Sequence, residues 1–225
     1  MTAGAAPLVL CQGVGRSYGR GDRQLTALHD VSCSILPGDR IAISGRSGSG
    51  KSTLAHLMAG LDEPTTGVLS WPALGRREEL RPGCIGVVFQ SPSLLHELTV
   101  AENVALPLEI AGAEPSLARA RALEALAALD LESLAEQLPD ELSGGQSQRV
   151  AVARVLATGP PLVIADEPTG QLDHATAERM LDVLDKTCRA LGAALVLTTH
   201  DARVTARYDR RWRIADGALA TGERS

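Results

Sequence analysis

The segment GRSGSGKST at residues 45–53 constrains the fold of this chain more than any other part of the sequence. It follows a short apolar run that ends at Ser44, and it precedes the apolar stretch LAHLMAGL, which has helical character. The spacing GxxxxGK[ST] between a strand and a helix is typical of a loop whose backbone N–H groups surround phosphate groups. The sequence therefore predicts a strand, a phosphate-binding loop and a helix in that order.

The residue types in this loop match the parts of a nucleoside triphosphate. The candidate binding residues are Gly45, Ser47, Gly48, Ser49, Gly50, Lys51, Ser52 and Thr53. The glycines allow the backbone to curl, and the helix that begins near Ser52 adds the positive end of its dipole. Lys51 is expected to bridge the β- and γ-phosphates as a point charge, and Ser52 to offer its hydroxyl to Mg²⁺. A Gly- and Ser-rich turn that matches the pattern by chance is the alternative.

Two carboxylates, Asp166 and Glu167, come directly after the apolar run LVIA at 162–165. A buried strand avoids charge at its end unless a cation lies there. We interpret Asp166 as a residue that holds Mg²⁺, through water, and Glu167 as the general base that polarises the attacking water. The alternative is that the two acids begin a loop and cap the helix after Pro168.

Apolar runs along the chain predict an α/β fold. Strands are expected at 8–12, 31–36, 40–44 and 84–89, followed by Ala- and Leu-rich helical spacing from 99 to about 157. Strands return at 162–165 and 194–198, separated by a helix at about 175–191. This alternation indicates parallel strands joined by crossover helices. The run 212–219 predicts a closing hairpin.

Composition excludes several other classes of protein. No apolar run approaches the roughly 18 to 20 residues that a membrane-spanning helix needs. The opening MTAGAAPLVL lacks the basic segment and long apolar core of a secretion signal, so a cytoplasmic location is expected. The net charge of -5 argues against nucleic-acid binding through bulk charge. The spacing of Cys11, Cys33, Cys84 and Cys188 predicts ordinary thiols rather than a zinc site or disulfides.

The segment LSGGQ at 142–146 points to one family. Ser143 is placed to cap the helix that follows, while Gly144 and Gly145 leave the backbone N–H groups at the helix N-terminus open to an anion. An ordinary capped helix is the alternative for this segment taken alone. LSGGQ is the signature sequence of ABC-type ATPases, which the chain resembles from about residue 8 to 219.

The resemblance implies a P-loop NTPase fold of ABC type, with ATP and Mg²⁺ as cofactors. A single domain over 1–225 would contain a mainly parallel core sheet with helices (about 8–90 and 158–221), an N-terminal antiparallel β-subdomain and an inserted helical signature subdomain (about 91–157). It also implies a homodimer that forms on ATP binding. Each ATP would lie between the phosphate loop of one chain and residues 143–146 of its partner, including Gln146.

The resemblance assigns roles to four further residues. Gln90 is similar to the glutamine that links Mg²⁺ to the transporter-facing surface, and His200 resembles the switch histidine that contacts the γ-phosphate. Tyr18 resembles the aromatic residue that stacks on adenine, with a core or surface role as the alternative. Asp173 resembles the acidic residue of the loop that crosses the dimer interface.

The stretches ADEPTGQLD and VFQSPSLLHELTVAENVALPL resemble the ABC branch that serves lipoprotein release and macrolide export. This branch implies an integral membrane permease as partner, a peripheral position on the inner face of the cell membrane, and no nucleic acid. Leu94, Leu95 and Leu98 would receive a coupling helix of the permease or form the core of the helical subdomain. Gln171 and Ser147 depart from the residues common in the family.

Two other functions remain open within the same family. One is a cell-division ATPase that drives envelope remodelling. The other is a soluble ABC ATPase that acts on DNA or ribosomes, although such proteins usually carry a long coiled-coil insertion or two fused ATPase domains.

Overall fold

The computed structural model describes residues 5–170 and 172–221, which form nine strands and six α-helices. The strands are β1 (Val9–Tyr18), β2 (Leu25–Ile35), β3 (Arg40–Ser44), β4 (Thr66–Ser70), β5 (Ile85–Val88), β6 (Leu162–Asp166), β7 (Ala194–Thr199), β8 (Arg210–Ala215) and β9 (Ala218–Thr221). The helices are α1 (Lys51–Met58), α2 (Val100–Ile110), α3 (Pro115–Ala127), α4 (Gly144–Leu156), α5 (His174–Ala190) and α6 (Ala202–Ala206).

The described residues divide into two compact units. The first contains residues up to 80, residues 164–166 and residues from 194 onward. The second contains residues 81–163 and 167–193. The phosphate loop (residues 45–53) and Asp166 therefore belong to the first unit, whereas Glu167 and the signature segment (residues 142–146) belong to the second.

The first unit contains an antiparallel sheet with the strand order β2-β1-β4. Strand β1 pairs with β2 along most of its length, from Val9 opposite Ile35 to Tyr18 opposite Leu25. Both strands run well beyond the apolar runs at 8–12 and 31–36, because most of their remaining residues are part-buried or exposed and continue no apolar run. This sheet is the N-terminal antiparallel β-subdomain that the family resemblance implies.

The core of the first unit is a mainly parallel sheet. Strand β3 pairs in parallel with both β7 and β8, and β8 pairs with β9 as the predicted closing hairpin. Every residue of β7 is buried, which accounts for its continuous apolar run. The register places Ser44 opposite Thr199. The phosphate loop and His200 therefore leave the sheet at the same edge, where open α/β sheets bind ligands.

The second unit contains the helices that follow β5. Helix α2 begins with a capping box in which the Thr99 hydroxyl accepts from the Glu102 N–H and the Glu102 carboxylate accepts from the Thr99 N–H. Helix α3 begins at Pro115, a residue type favoured at the first helical position. Apolar side chains of α2, α3 and α4, including Val104, Leu126 and Val150, are fully buried, so these helices share a core. None of the helices that the structure describes is long and apolar enough to cross a membrane.

Asn103 of α2 is a polar residue in this core, with none of its surface exposed. Its side-chain oxygen accepts a hydrogen bond from Leu95 N at 2.8 Å. Its side-chain nitrogen donates to the carbonyls of Leu95 and Leu98, each at 2.9 Å. Asn103 therefore fixes the backbone of the segment that precedes α2.

Parallel pairing of β3 with β7 and β8, the antiparallel N-terminal sheet and the helices of the second unit confirm the predicted α/β fold class.

Candidate functional site

The phosphate loop curves around the ammonium group of Lys51. Lys51 is the first residue of α1, and only 4% of it is exposed. Its Nζ donates to the carbonyl oxygens of Gly45 and Arg46, each at 3.1 Å. Ser47 and Gly48 at the tip of the loop are exposed. The loop therefore presents its backbone to solvent with a positive charge held beneath it, which suits an anion.

Gly50 shows why this loop needs glycine before the helix. Its φ of 108° is in the left-handed region, where residues with a side chain are strained. A Cβ at this position would also lie 2.6 Å from the carbonyl oxygen of Ala27. Within the described part of the chain, the buried hydroxyl of Ser49 has no hydrogen-bond partner. A phosphate oxygen would satisfy it.

Asp166 at the end of β6 receives hydrogen bonds from two hydroxyl groups. Its Oδ1 accepts from Ser52 Oγ at 3.0 Å and from Thr198 Oγ1 at 2.6 Å. Its Oδ2 lies 3.7 Å from Nε2 of His56, and only 5% of the residue is exposed. Hydroxyl and carboxylate oxygens are the ligands that Mg²⁺ prefers. The Ser52 and Asp166 side chains therefore fit the predicted magnesium site.

A cleft of about 1170 Å³ opens beside the phosphate loop. Its wall contains Thr26, Ala27, Gly45, Arg46, Ser47, Gly48, Ser49, His200, Ala202, Arg213, Ile214, Ala215, Asp216 and Gly217. The structure thus brings His200 to the same cleft as the phosphate loop. It also adds two cations that the sequence did not indicate: Arg46 fills a variable position of the phosphate-loop motif, and Arg213 lies in none of the motifs.

Tyr18 lies at the end of β1, and it is not among the residues that form the wall of the cleft. Its neighbour Ser17 pairs with Thr26, which does line the cleft. The Tyr18 hydroxyl donates to Asp62 at 2.9 Å, and 39% of the residue remains exposed. Its ring carries the Arg16 guanidinium on one face, 4.6 Å from the centroid. Adenine stacking on Tyr18 stays a prediction.

Glu167 is the first residue of the second unit after β6, and its φ is 44°. A residue with a side chain in the left-handed region stores backbone strain, a feature found most often at functional sites. Gln90 lies close to Glu167: a Cβ added to Gly170 would be 3.9 Å from Gln90 Nε2 and 4.0 Å from Glu167 Oε2. The candidate base and the candidate glutamine are thus neighbours within one unit.

The signature segment forms the N-terminus of α4. Ser143 Oγ accepts from Gln146 N at 3.3 Å, and Gln146 Oε1 accepts from Ser143 N at 2.7 Å. A Cβ added to Gly144 would meet no atom within 4 Å. The reciprocal cap leaves the exposed helix N-terminus at Gly144 open to an approaching anion. Ser147, one of the two departures from the family pattern, donates to the Ser143 carbonyl at 3.1 Å; the other, Gln171, lies outside the described residues.

A small groove of about 190 Å³ joins the signature segment to the start of α5. It is lined by Ser143, Gly145, Gln146, Arg149, Leu172, Asp173 and Thr176. Asp173 is the N-cap of α5 and accepts from Thr176 N at 3.0 Å. Hydrogen bonds from the Thr176 side chain and backbone hold the pKa of this exposed carboxyl below its usual value.

Helix α4 also holds the backbone on both sides of Gln90. Gln148 donates to the Phe89 carbonyl at 3.0 Å. The Arg154 guanidinium donates to the carbonyls of Pro92 and Ser93, each at 2.9 Å. Burial lowers the pKa of Arg154, and the two carbonyl bonds compensate its lost hydration.

The ABC transporter family model matches residues 28–170. The chain is also 37% identical to the dimeric structure of a post-hydrolysis state of the ATP-binding cassette MJ0796 bound to ADP and Pi. That match has a TM-score of 0.88 and covers 96% of this chain and 99% of the other. The dimeric structure of MJ0796, a bacterial ABC transporter cassette, matches with the same values. The chain therefore belongs to the ABC transporter family, and it carries the P-loop ATPase cassette of that family.

Proposed function

We propose that this chain binds and hydrolyses ATP to power a membrane export or extrusion complex through ATP-dependent, head-to-tail dimerisation. The observation that carries the proposal is the inward-facing Lys51 ammonium beside the Ser52–Asp166 pair. The relative MJ0796 is dimeric and was captured with ADP and Pi. That relationship supports both the nucleotide and the dimer.

Binding of the triphosphate begins with the phosphate loop. Lys51 would exchange its bonds to the Gly45 and Arg46 carbonyls for phosphate oxygens, and the unpartnered Ser49 hydroxyl would donate to another. The other residues of the set, Gly45, Ser47, Gly48, Gly50, Ser52 and Thr53, supply backbone N–H groups and the helix N-terminus. Tyr18 is proposed to stack on the adenine base.

Hydrolysis requires an activated water in line with the γ-phosphate. Glu167 is proposed to accept the proton of that water, and His200 to contact the γ-phosphate from the wall of the cleft. Ser52, Gln90 and Asp166 are the residues that would hold Mg²⁺, with Asp166 acting through water. When bound, the ion neutralises the charge that develops on the phosphate oxygens.

The partner subunit is proposed to complete each site with its signature segment. Ser143, Gly144, Gly145 and Gln146 would present their helix N-terminus to the γ-phosphate, where backbone N–H groups stabilise an anion. Asp173, in the same groove as Ser143, is assigned to the dimer interface. ATP would then bind the two copies together, and its hydrolysis would release them.

The chain is proposed to act from the inner face of the cell membrane on an integral permease, without nucleic acid. Leu94, Leu95 and Leu98 remain candidates for the contact with a coupling helix. Within the domain, residues of about 8–90 and 158–221 are proposed to form the ATPase core and 91–157 the signature subdomain.

Affinity purification of the chain from native membranes tests this function. A membrane protein should copurify, and the complex should hydrolyse ATP in a manner abolished by Glu167→Gln. Recovery of the chain without any membrane protein would contradict the export role, and hydrolysis equal to that of the Glu167→Gln variant would contradict the ATPase role.

A further inference from the structure

Tyr18 is held by two charged residues that no sequence motif indicated. Its hydroxyl donates to Asp62 Oδ2 at 2.9 Å. The other oxygen of that carboxylate pairs with the Arg16 guanidinium at 2.7 Å. The same guanidinium lies over the Tyr18 ring at 4.6 Å, within the range of a cation–π interaction. The three side chains thus form a closed triangle.

The triangle fixes both degrees of freedom of the aromatic side chain. The contact between the guanidinium and the ring places the Arg16 and Tyr18 side chains on the same side of β1. The guanidinium then determines the plane of the ring, and the bond to Asp62 determines where its tip points. A tyrosine has only two side-chain torsions, and each is restrained by one of these contacts.

Asp62 is maintained as a charged acceptor in this arrangement. Partial burial raises the pKa of its carboxyl, but hydrogen bonds from Glu63 N and the Tyr18 hydroxyl, together with the Arg16 charge, bring the pKa below its usual value. The side chains of Arg16 and Asp62 are each 24% exposed, so solvent screens the pair only in part.

One face of the ring is therefore occupied while the residue keeps 39% of its surface exposed. We propose that Asp62 and Arg16 are positioning residues that hold the Tyr18 ring so that its uncovered face receives the base of the bound nucleotide. This inference rests on the proposed ATP site. It explains why Tyr18 is exposed yet held by two contacts, and it restricts the effect of losing Asp62 on binding to the base half of the ligand.

The test compares a ligand that has a base with one that lacks it. Binding of Mg-ADP and of pyrophosphate to the full chain is measured by titration calorimetry, since neither ligand is consumed. Stacking of one base on an aromatic ring is worth about tenfold in affinity. Tyr18→Ala should therefore raise the dissociation constant of Mg-ADP about tenfold and leave that of pyrophosphate unchanged.

Asp62→Ala should also raise the dissociation constant of Mg-ADP, by no more than Tyr18→Ala does. It should leave the dissociation constant of pyrophosphate unchanged. The double variant Tyr18→Ala/Asp62→Ala should bind Mg-ADP no more weakly than Tyr18→Ala alone, because a positioning residue acts through its partner. Tyr18→Phe, which keeps the ring and removes only the bond to Asp62, provides a milder second measurement. Asp185→Ala breaks an exposed pair with Arg189 on α5 and serves as the matched control.

The outcomes separate this inference from the proposed function. If Tyr18→Ala weakens Mg-ADP and Asp62→Ala does not, the positioning role is wrong and the nucleotide site stands. If Asp62→Ala lowers the affinities for Mg-ADP and for pyrophosphate equally, Asp62 has a general structural role and the inference is overturned. If Tyr18→Ala changes neither ligand, both the stacking role of Tyr18 and the inference fail. A wild-type chain that binds neither ligand would refute the proposed function itself.

Discussion

Ser52 and Asp166 are 114 positions apart in the chain, yet the Ser52 hydroxyl donates a hydrogen bond to the Asp166 carboxylate at 3.0 Å. Ser52 lies at the end of the phosphate loop, in the first turn of α1, and Asp166 ends β6. Their contact therefore places an acidic group beside the helix N-terminus where phosphates would bind. The Thr198 hydroxyl donates to the same carboxylate oxygen. The position of the Asp166 carboxylate is therefore fixed by its own strand β6, by β7 and by α1.

Replacement of Lys51 by alanine should weaken nucleotide binding directly. The ammonium bonds to the Gly45 and Arg46 carbonyls of the phosphate loop, so the substitution removes a positive charge held next to the phosphate-binding backbone. We expect a rise of about tenfold or more in the ATP dissociation constant, since charge-assisted hydrogen bonds contribute about 1.5–3 kcal/mol. Lys186→Ala, on the exposed surface of α5, should bind like wild type. An unchanged constant for Lys51→Ala would remove this residue from the site.

Glu167→Gln should retain ATP binding, accumulate an ATP-bound dimer and lose hydrolysis. The amide keeps the shape of the side chain but cannot accept the proton of the attacking water. Hydrolysis is measured by phosphate release, and the dimer by light scattering in saturating Mg-ATP. Glu124→Gln, exposed on α3, provides a control. Turnover near the wild-type rate in Glu167→Gln would disprove the base assignment.

A mixed dimer tests whether two chains share each site. Ser143→Arg blocks the exposed N-terminus of α4, and Lys51→Ala removes the phosphate contact, so each homodimer should be inactive. A dimer of one chain of each kind keeps one intact composite site, and mixing should restore part of the ATPase activity. If the mixture is no more active than either variant alone, the shared-site arrangement loses its support.

Asn103→Ala should destabilise the second unit. The substitution leaves the N–H of Leu95 and two carbonyls, all bonded to the fully buried Asn103 side chain, without their present partner. Each buried group left unsatisfied costs about 1–3 kcal/mol, so the free energy of unfolding should fall by at least about 2 kcal/mol. Urea unfolding measures the change, and Glu109→Ala on the exposed face of the same helix should alter it little. A cost equal to that of Glu109→Ala would contradict the anchoring role.

The pKa of Asp62 predicts a pH-dependent contribution to stability. Because this pKa is lower in the folded chain than its usual value, the charged carboxylate stabilises the fold above the ordinary aspartate pKa of about 3.9. That contribution is lost as the pH falls through the lower, folded value. The difference in unfolding free energy between wild type and Asp62→Asn should therefore shrink below about pH 4. A difference that stays constant between pH 6 and 3 would contradict it.

The buried strands of the core could be predicted closely from the sequence. The run 40–44 coincides with β3, and the runs 162–165 and 194–198 each stop one residue short of β6 and β7. These strands are buried throughout except at Ser44, the last residue of β3, so an uninterrupted apolar run marks them. Strand β4 was missed because its residues, TGVLS, are exposed or only partly buried. Pairing along the edge of a sheet leaves no apolar pattern to detect.

The candidate site shows the same division. Glycine-rich spacing and a capped helix are local properties, so the phosphate loop and the signature segment could be recognised from their local sequence alone. Thr198, His56 and Asp62 could not, because each acquires its contact from a residue distant in sequence. The sequence around a threonine in a strand, or around an acidic residue after a helix, does not indicate which distant residue it will contact in the folded chain.

The hydrogen bonds from α4 to the backbone around Gln90 have a mechanical consequence. Gln148 and Arg154 hold the carbonyls before and after that glutamine, and the first turn of the same helix carries the signature glycines. A small rotation of α4 would therefore move Gln90 as well, because these hydrogen bonds connect the helix to the backbone on both sides of Gln90. The position of Gln90 would thus depend on the orientation of α4, and a molecule bound to the surface of this unit at Gln90 would be affected by that orientation.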